Sequence, residues 1–122
     1  MSSGHASLSP ERWARFTRDQ QLMMIANEMN RASKLMVPED RERLKSAYTR
    51  VLQLTDLTVD VRRERGLRKE LLRWRELVAR LWLQPAGDPD AHRQAFRSLL
   101  LFSYESAKQI PFVLGEGPGA PP

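Results

Sequence analysis

Residues 61–83 read VRRERGLRKELLRWRELVARLWL, and the spacing of the apolar side chains in this stretch decides what the chain builds. On a wheel of 100° per residue, Leu67, Leu71, Trp74, Val78, Leu81 and Trp82 fall within one arc of about 100°, with Leu77 at its edge. That pattern predicts an amphipathic helix over 67–83 with its greasy stripe turned inward. Arg68 and Arg75 flank the arc, where their methylene stems cover apolar neighbours while the charged heads reach water. Lys69, Arg73 and Arg80 form a separate stripe on the far side. Glu76 lies three residues after Arg73 and four before Arg80, so the stripe is partly neutralised within its own helix.

The same stretch carries the charge of the molecule. The 122-residue chain has a formal net charge of +5 and a sequence pI near 10.2. Eight basic and three acidic residues of 61–83 account for the whole excess, and the remainder balances at twelve of each sign. Two readings follow. The favoured one is a solvated face laced with intrahelical ion pairs. The other is a polyanion-binding face in which Arg62, Arg63, Arg65, Lys69, Arg73 and Arg80 contact phosphates of RNA or DNA. The second rests on charge alone, because no helix-turn-helix spacing, zinc-ligand set or aromatic RNA-binding motif accompanies it.

Working outward, three more segments show helical periodicity and none shows a sustained strand pattern. A helix over about 9–34 opens on Ser9 as cap with Pro10 at the first position, where its missing N–H is no loss. Trp13, Phe16, Leu22, Ile25, Met29 and Ala32 mark its inner face, with a gap near Gln20. A second, about 38–60, starts at Pro38 with acids in its first turn, which suit the helix dipole. Leu44, Ala47, Tyr48, Val51, Leu54, Thr55 and Thr58 mark its face. The fourth, about 88–109, has Asp88 as cap, Pro89 at the first position, and Ala95, Phe96, Leu99, Phe102 and Ser103 inward. Short connections make neighbours antiparallel, so the expected fold is an all-α, single-domain antiparallel four-helix bundle. Residues 1–8 and the Pro/Gly-rich 111–122 are expected to be flexible or disordered termini.

Enzyme signals are sparse. Zero cysteines removes disulfides, thiol nucleophiles and thiolate metal sites. His5 and His92 have no Glu or His at ligand spacing, so no metal is expected, and no Gly-rich phosphate loop calls for a cofactor. The cluster Asn27, Glu28, Asn30 and Arg31 reads as a polar network fixing helix register. A general base at Glu28 with an anion clamp at Arg31 is the weaker alternative. Asp56 and Asp60 are expected to pair with Arg62 or Arg63. No signal peptide or apolar span is present, which makes a cytoplasmic protein with no membrane contact the expectation.

Surplus apolar surface supplies the functional reading. Met23 and Met24 make the first helix apolar all round near residues 22–26. Leu100, Leu101 and Tyr104 do the same for the fourth, and Trp82 sits at the margin of its arc as a possible anchor. These six mark an expected interface. The chain therefore reads as a non-enzymatic helical interaction module, a homo-oligomer or a small subunit of a larger assembly, with nucleic-acid binding as the alternative.

Overall fold

The computed structural model describes residues 8–115, apart from the side chain of Tyr104. It is helical with no strand among the described residues: α1 (Pro10–Trp13), α2 (Arg18–Ala32), a 3-10 turn (Pro38–Asp40), α3 (Arg41–Val61), α4 (Arg65–Leu83), α5 (Pro89–Leu100), α6 (Tyr104–Ala107) and α7 (Ile110–Leu114). No described helix is long and apolar enough to cross a membrane.

The long helix expected over 9–34 is two helices. Ser9 caps α1 as anticipated, its Oγ accepting from the Arg12 N–H at 3.2 Å. The chain then turns, and Thr17 caps a new helix. Its hydroxyl accepts from the Gln20 N–H at 3.1 Å while the Gln20 side chain accepts from the Thr17 N–H at 2.8 Å. This reciprocal box satisfies two otherwise orphaned donors and makes a helix start cheap in mid-pattern. The interrupted periodicity near Gln20 is its trace. The turn drives Trp13 fully inside, edge-on to Phe16 at 5.6 Å. Its indole N–H donates to Thr58 Oγ1 at 2.9 Å, and the Gln21 amide donates to the Trp13 carbonyl at 2.8 Å. Gln21 is thereby buried without an unmet polar atom.

The fourth helix also stops early, at Leu100. Ser103 caps α6 by accepting from the Ser106 N–H at 3.0 Å. The Ser106 hydroxyl in turn donates to the Leu100 carbonyl at 2.7 Å, supplying one of the partners that a helix end lacks. Part of the expected disordered tail is helical too: α7 starts with Pro111 in its first turn and ends at Gly115, whose φ of 67° is the left-handed conformation that glycine adopts without strain. The rest of that tail, 116–122, and residues 1–7 lie outside the described residues.

Packing runs as a closed cycle, with α2 on α3, α3 on α4, α4 on α5 and α5 back on α2, while α1 lies on α3. Side-chain contacts give the directions. Gln21 meets Arg62 and Glu28 meets Arg50 across α2 and α3. Asp56 meets Arg75 and Thr49 meets Trp82 across α3 and α4. Met29 meets His92, and Arg18 meets the Phe102 carbonyl just beyond α5. In the Gln21–Arg62, Thr49–Trp82, Met29–His92 and Arg18–Phe102 pairs, the early part of one helix meets the late part, or the residue just past the end, of the other. Leu22, Ile25, Val51, Leu71, Val78 and Leu99 are fully enclosed between them, each stabilising the fold by about 1.5–3 kcal/mol. The apolar arc read from 67–83 is the buried face of α4, where Leu71, Trp74, Val78 and Leu81 point inward.

Candidate functional site

α4 presents two adjoining surfaces, and the predicted basic residues divide between them and the interior. Arg63, Arg65, Lys69, Arg73 and Arg80 are exposed. Arg73 pairs with Glu70 at 3.5 Å, three residues back, rather than with Glu76. Arg62 is a correction. It leaves the end of α3 with an extended backbone and turns inward, its Nε donating to the Gln21 side chain at 2.8 Å and Nη2 to the Phe16 carbonyl at 3.1 Å. A carboxylate of Glu64 lies 3.8 Å away. The guanidinium is occupied in tying the α1–α2 junction to the α3–α4 turn, so it is not offered to a polyanion. Asp56 likewise pairs elsewhere than expected, with Nε and Nη2 of Arg75 at 2.6 and 3.1 Å, because one turn of α4 faces it directly.

Beside the basic stripe runs a trough between α4 and α5. One part of it, about 320 Å³, has Leu77, Arg80, Leu81 and Gln84 on one bank and Ala91, Gln94, Ala95 and Ser98 on the other, with Asp88 also in the lining. Two further recesses continue it past Trp74 and Phe102 to Gly66. From Gly66 to Gln84 the trough is about 27 Å long at 1.5 Å per residue. Trp74 closes the floor, its indole N–H donating to the Ala95 carbonyl at 2.7 Å. Leu77 is 41% exposed and Leu101, at the far end, 54%. Lys69, Arg73 and Arg80 edge the α4 bank, and the exposed Leu72 and Leu83 lie beyond them.

The other expected interface residues fare differently. Met23 and Met24 are half-buried. Leu100 is 0% exposed; the early end of α5 folds α6 back over it, so it is core rather than contact surface. Trp82 leans on α3, donating to Thr49 Oγ1 at 3.0 Å with the Lys45 ammonium 4.6 Å above its ring. Its anchor role is spent within the chain. The side chain of Tyr104, like His5, lies outside the described structure.

The polar cluster on α2 does not assemble into one network. Asn27 and Arg31 point away from the face that buries Met29, and Glu28 reaches Arg50 at 4.0 Å. The buried polar groups are instead Gln21, Thr55, Thr58, His92 and Ser106. Gln21 and Ser106 carried no signal in the sequence reading, and His92 was read there only as lacking metal-ligand spacing. It is 2% exposed, with Nδ1 2.7 Å from the Tyr48 hydroxyl and Nε2 2.9 Å from the Met29 carbonyl. Burial pushes its pKa down, opposed by the Met29 contact. Burial and the charge of Asp88 push Tyr48 up. The available signal was register: His92 stands three, four and seven residues before Ala95, Phe96 and Leu99. No group of three or more His, Asp or Glu side chains placed to hold a metal occurs among the described residues.

Comparisons with protein-family models, curated proteins and solved structures found no match to this chain.

Proposed function

We propose that the chain is an antiparallel four-helix bundle acting as a non-enzymatic interaction module, a small subunit that receives an amphipathic helix of another protein in the α4–α5 trough. The observation that carries this reading is the trough itself, open along about five turns of α4 with Leu77 and Leu101 exposed on it. A helix laid in a groove uses apolar anchors at intervals of three and four residues. Ala91, Ala95 and Ser98 on the α5 bank leave room for such close approach.

Charge selects the occupant. The rim carries Arg18, Lys69, Arg73 and Arg80 against Glu64, Glu70 and Asp88. This excess of positive charge favours a partner helix with acidic flanks, because complementary charge guides encounter and fixes register. A second copy packed about a two-fold axis near Leu77 would set Arg73 of one chain against Arg80 of the other, which disfavours self-association here. A cytoplasmic setting without membrane contact suits a cysteine-free, basic chain of this kind.

A photo-crosslinking amino acid at position 77, compared with one at exposed position 53 on α3, tests the proposal in cells. The expected result is a discrete adduct at 77 alone, containing a protein whose crosslinked segment is an acidic amphipathic helix. Absence of any adduct at 77 sinks the reading, and an adduct with this chain alone replaces it by self-association.

The second reading, nucleic-acid binding, is favoured by Arg63, Arg65, Lys69, Arg73 and Arg80 all being exposed. It predicts a low-salt mobility shift with single-stranded RNA or duplex DNA that weakens steeply as salt rises. Arg73→Glu with Arg80→Glu should abolish that shift; an unaltered shift removes the reading.

A further inference from the structure

We propose that the groove between α2 and α3 binds a phosphorylated small molecule, its phosphoryl oxygens held by Arg31, Arg43 and Arg50. The recess is about 420 Å³ and is lined by these three arginines with Glu28, Ser46 and Ala47. It lies apart from the α4–α5 trough and depends on none of its residues.

The geometry comes from two antiparallel helices. On α3, Arg43 and Arg50 are seven residues apart, two turns and about 10.5 Å along the axis, on one face. Between them stand Ser46 and Ala47, whose small side chains leave the recess open. The opposite bank is α2, which contributes Arg31 and Glu28. Three guanidiniums thus border a recess that holds one carboxylate. Glu28 lies 4.0 Å from Arg50, which has a further interaction besides, and Arg43 leans outward to Asp40 at 3.6 Å. Arg31 makes no ion pair or side-chain hydrogen bond among the described residues.

Gathering like charge around a recess costs stability, and a Glu at position 46 would relieve it within the chain. Ser46 instead leaves a neutral hydroxyl there. An oxyanion supplied from outside relieves the same repulsion. Guanidinium forks match phosphoryl oxygens two at a time, so three forks suit a phosphate better than a two-oxygen carboxylate. Glu28 adds direction. It repels a ligand that is anionic throughout and accepts a hydrogen bond from a ligand hydroxyl or amino group, so the phosphate lies among the arginines and the ligand's hydroxyl or amino end towards Glu28.

The test is calorimetric titration of the full chain at low ionic strength with glycerol 3-phosphate as probe, against chloride of equal ionic strength. Saturable binding is expected for the wild type. Arg31→Gln with Arg43→Gln, both at exposed positions, should weaken it about tenfold or more with the circular-dichroism spectrum unchanged. Lys69→Gln with Arg80→Gln should leave it unaltered. Ser46→Glu should abolish binding while holding or raising the thermal midpoint, which separates a filled recess from a damaged fold. No binding by the wild type, equal binding by the Arg31/Arg43 variant, or loss in the Lys69/Arg80 variant instead would each overturn the assignment.

Discussion

The hydroxyl of Tyr48 on α3 donates to Nδ1 of His92 on α5 at 2.7 Å, while Nε2 of the same ring donates to the Met29 carbonyl on α2 at 2.9 Å. A carbonyl only accepts, so the ring hydrogen sits on Nε2, and Nδ1 is left to take the phenolic hydrogen. One neutral imidazole therefore joins three helices inside the core.

Stability should consequently fall on both sides of neutrality. The folded-state pKa of His92 is lowered from the ordinary 6.5, so its contribution is complete above 6.5 and is lost as pH drops through the folded value. Tyr48 is raised from its ordinary 10.0, so its contribution is present below 10.0 and is lost as pH climbs further. Urea midpoints measured across that range should trace a dome. His92→Gln, which can still donate and accept, should flatten the acid limb and leave the alkaline one.

Tyr48→Phe should cost about 1–3 kcal/mol, because it strands a buried ring nitrogen without its donor. Denaturant unfolding at neutral pH measures this. A cost near zero would mean that water or a rotated ring satisfies Nδ1 instead.

Arg62 and Arg63 are neighbours in sequence with opposite duties. Arg62→Ala removes two hydrogen bonds from a charged donor and leaves the buried Gln21 oxygen unpaired, at a cost of about 1.5–3 kcal/mol. Arg63→Ala, at an exposed site, should stay within about 0.5 kcal/mol of the wild type. Thermal melts of the two variants side by side test the contrast.

Gly87 lies against Met36. A Cβ there would sit 2.8 Å from the Met36 sulfur and 3.0 Å from its carbonyl oxygen. The sulfur can swing away, but the backbone oxygen must shift. Gly87→Ala is expected to destabilise by about 1–3 kcal/mol as an overpacked contact, whereas Gly66→Ala, with nothing within 4 Å, should stabilise α4 by about 1 kcal/mol. Unfolding free energies of both should move in opposite directions.

How much of this could be read beforehand depends on where each signal is stored. The inward faces of α3 and α4 were legible because every position from Leu44 to Thr58 and from Leu71 to Leu81 keeps one helical phase. The break before α2 was written in Thr17 and Gln20 at capping-box spacing, yet Ser9–Pro10 offered an earlier start and Trp13 shared the apolar phase. Arg62 looked like one more arginine in a basic run, since its role lies in carbonyls and amides brought from residues 16–21. The trough and the α2–α3 recess were beyond linear reading for the same reason: each is made by two helices. Counting charge along the chain led to 61–83, where Glu70 and Asp56 answer two of the arginines, and away from Arg31, Arg43 and Arg50, which converge only after folding.

The cyclic order of helix contacts separates those two surfaces. The α2–α3 pair and the α4–α5 pair are opposite members of the ring, so a ligand filling one side does not sterically obstruct the other. If both proposals hold, a chain of 122 residues would bridge two binding events at once, tethering a metabolite-sized effector to a protein helix across the thickness of a single domain.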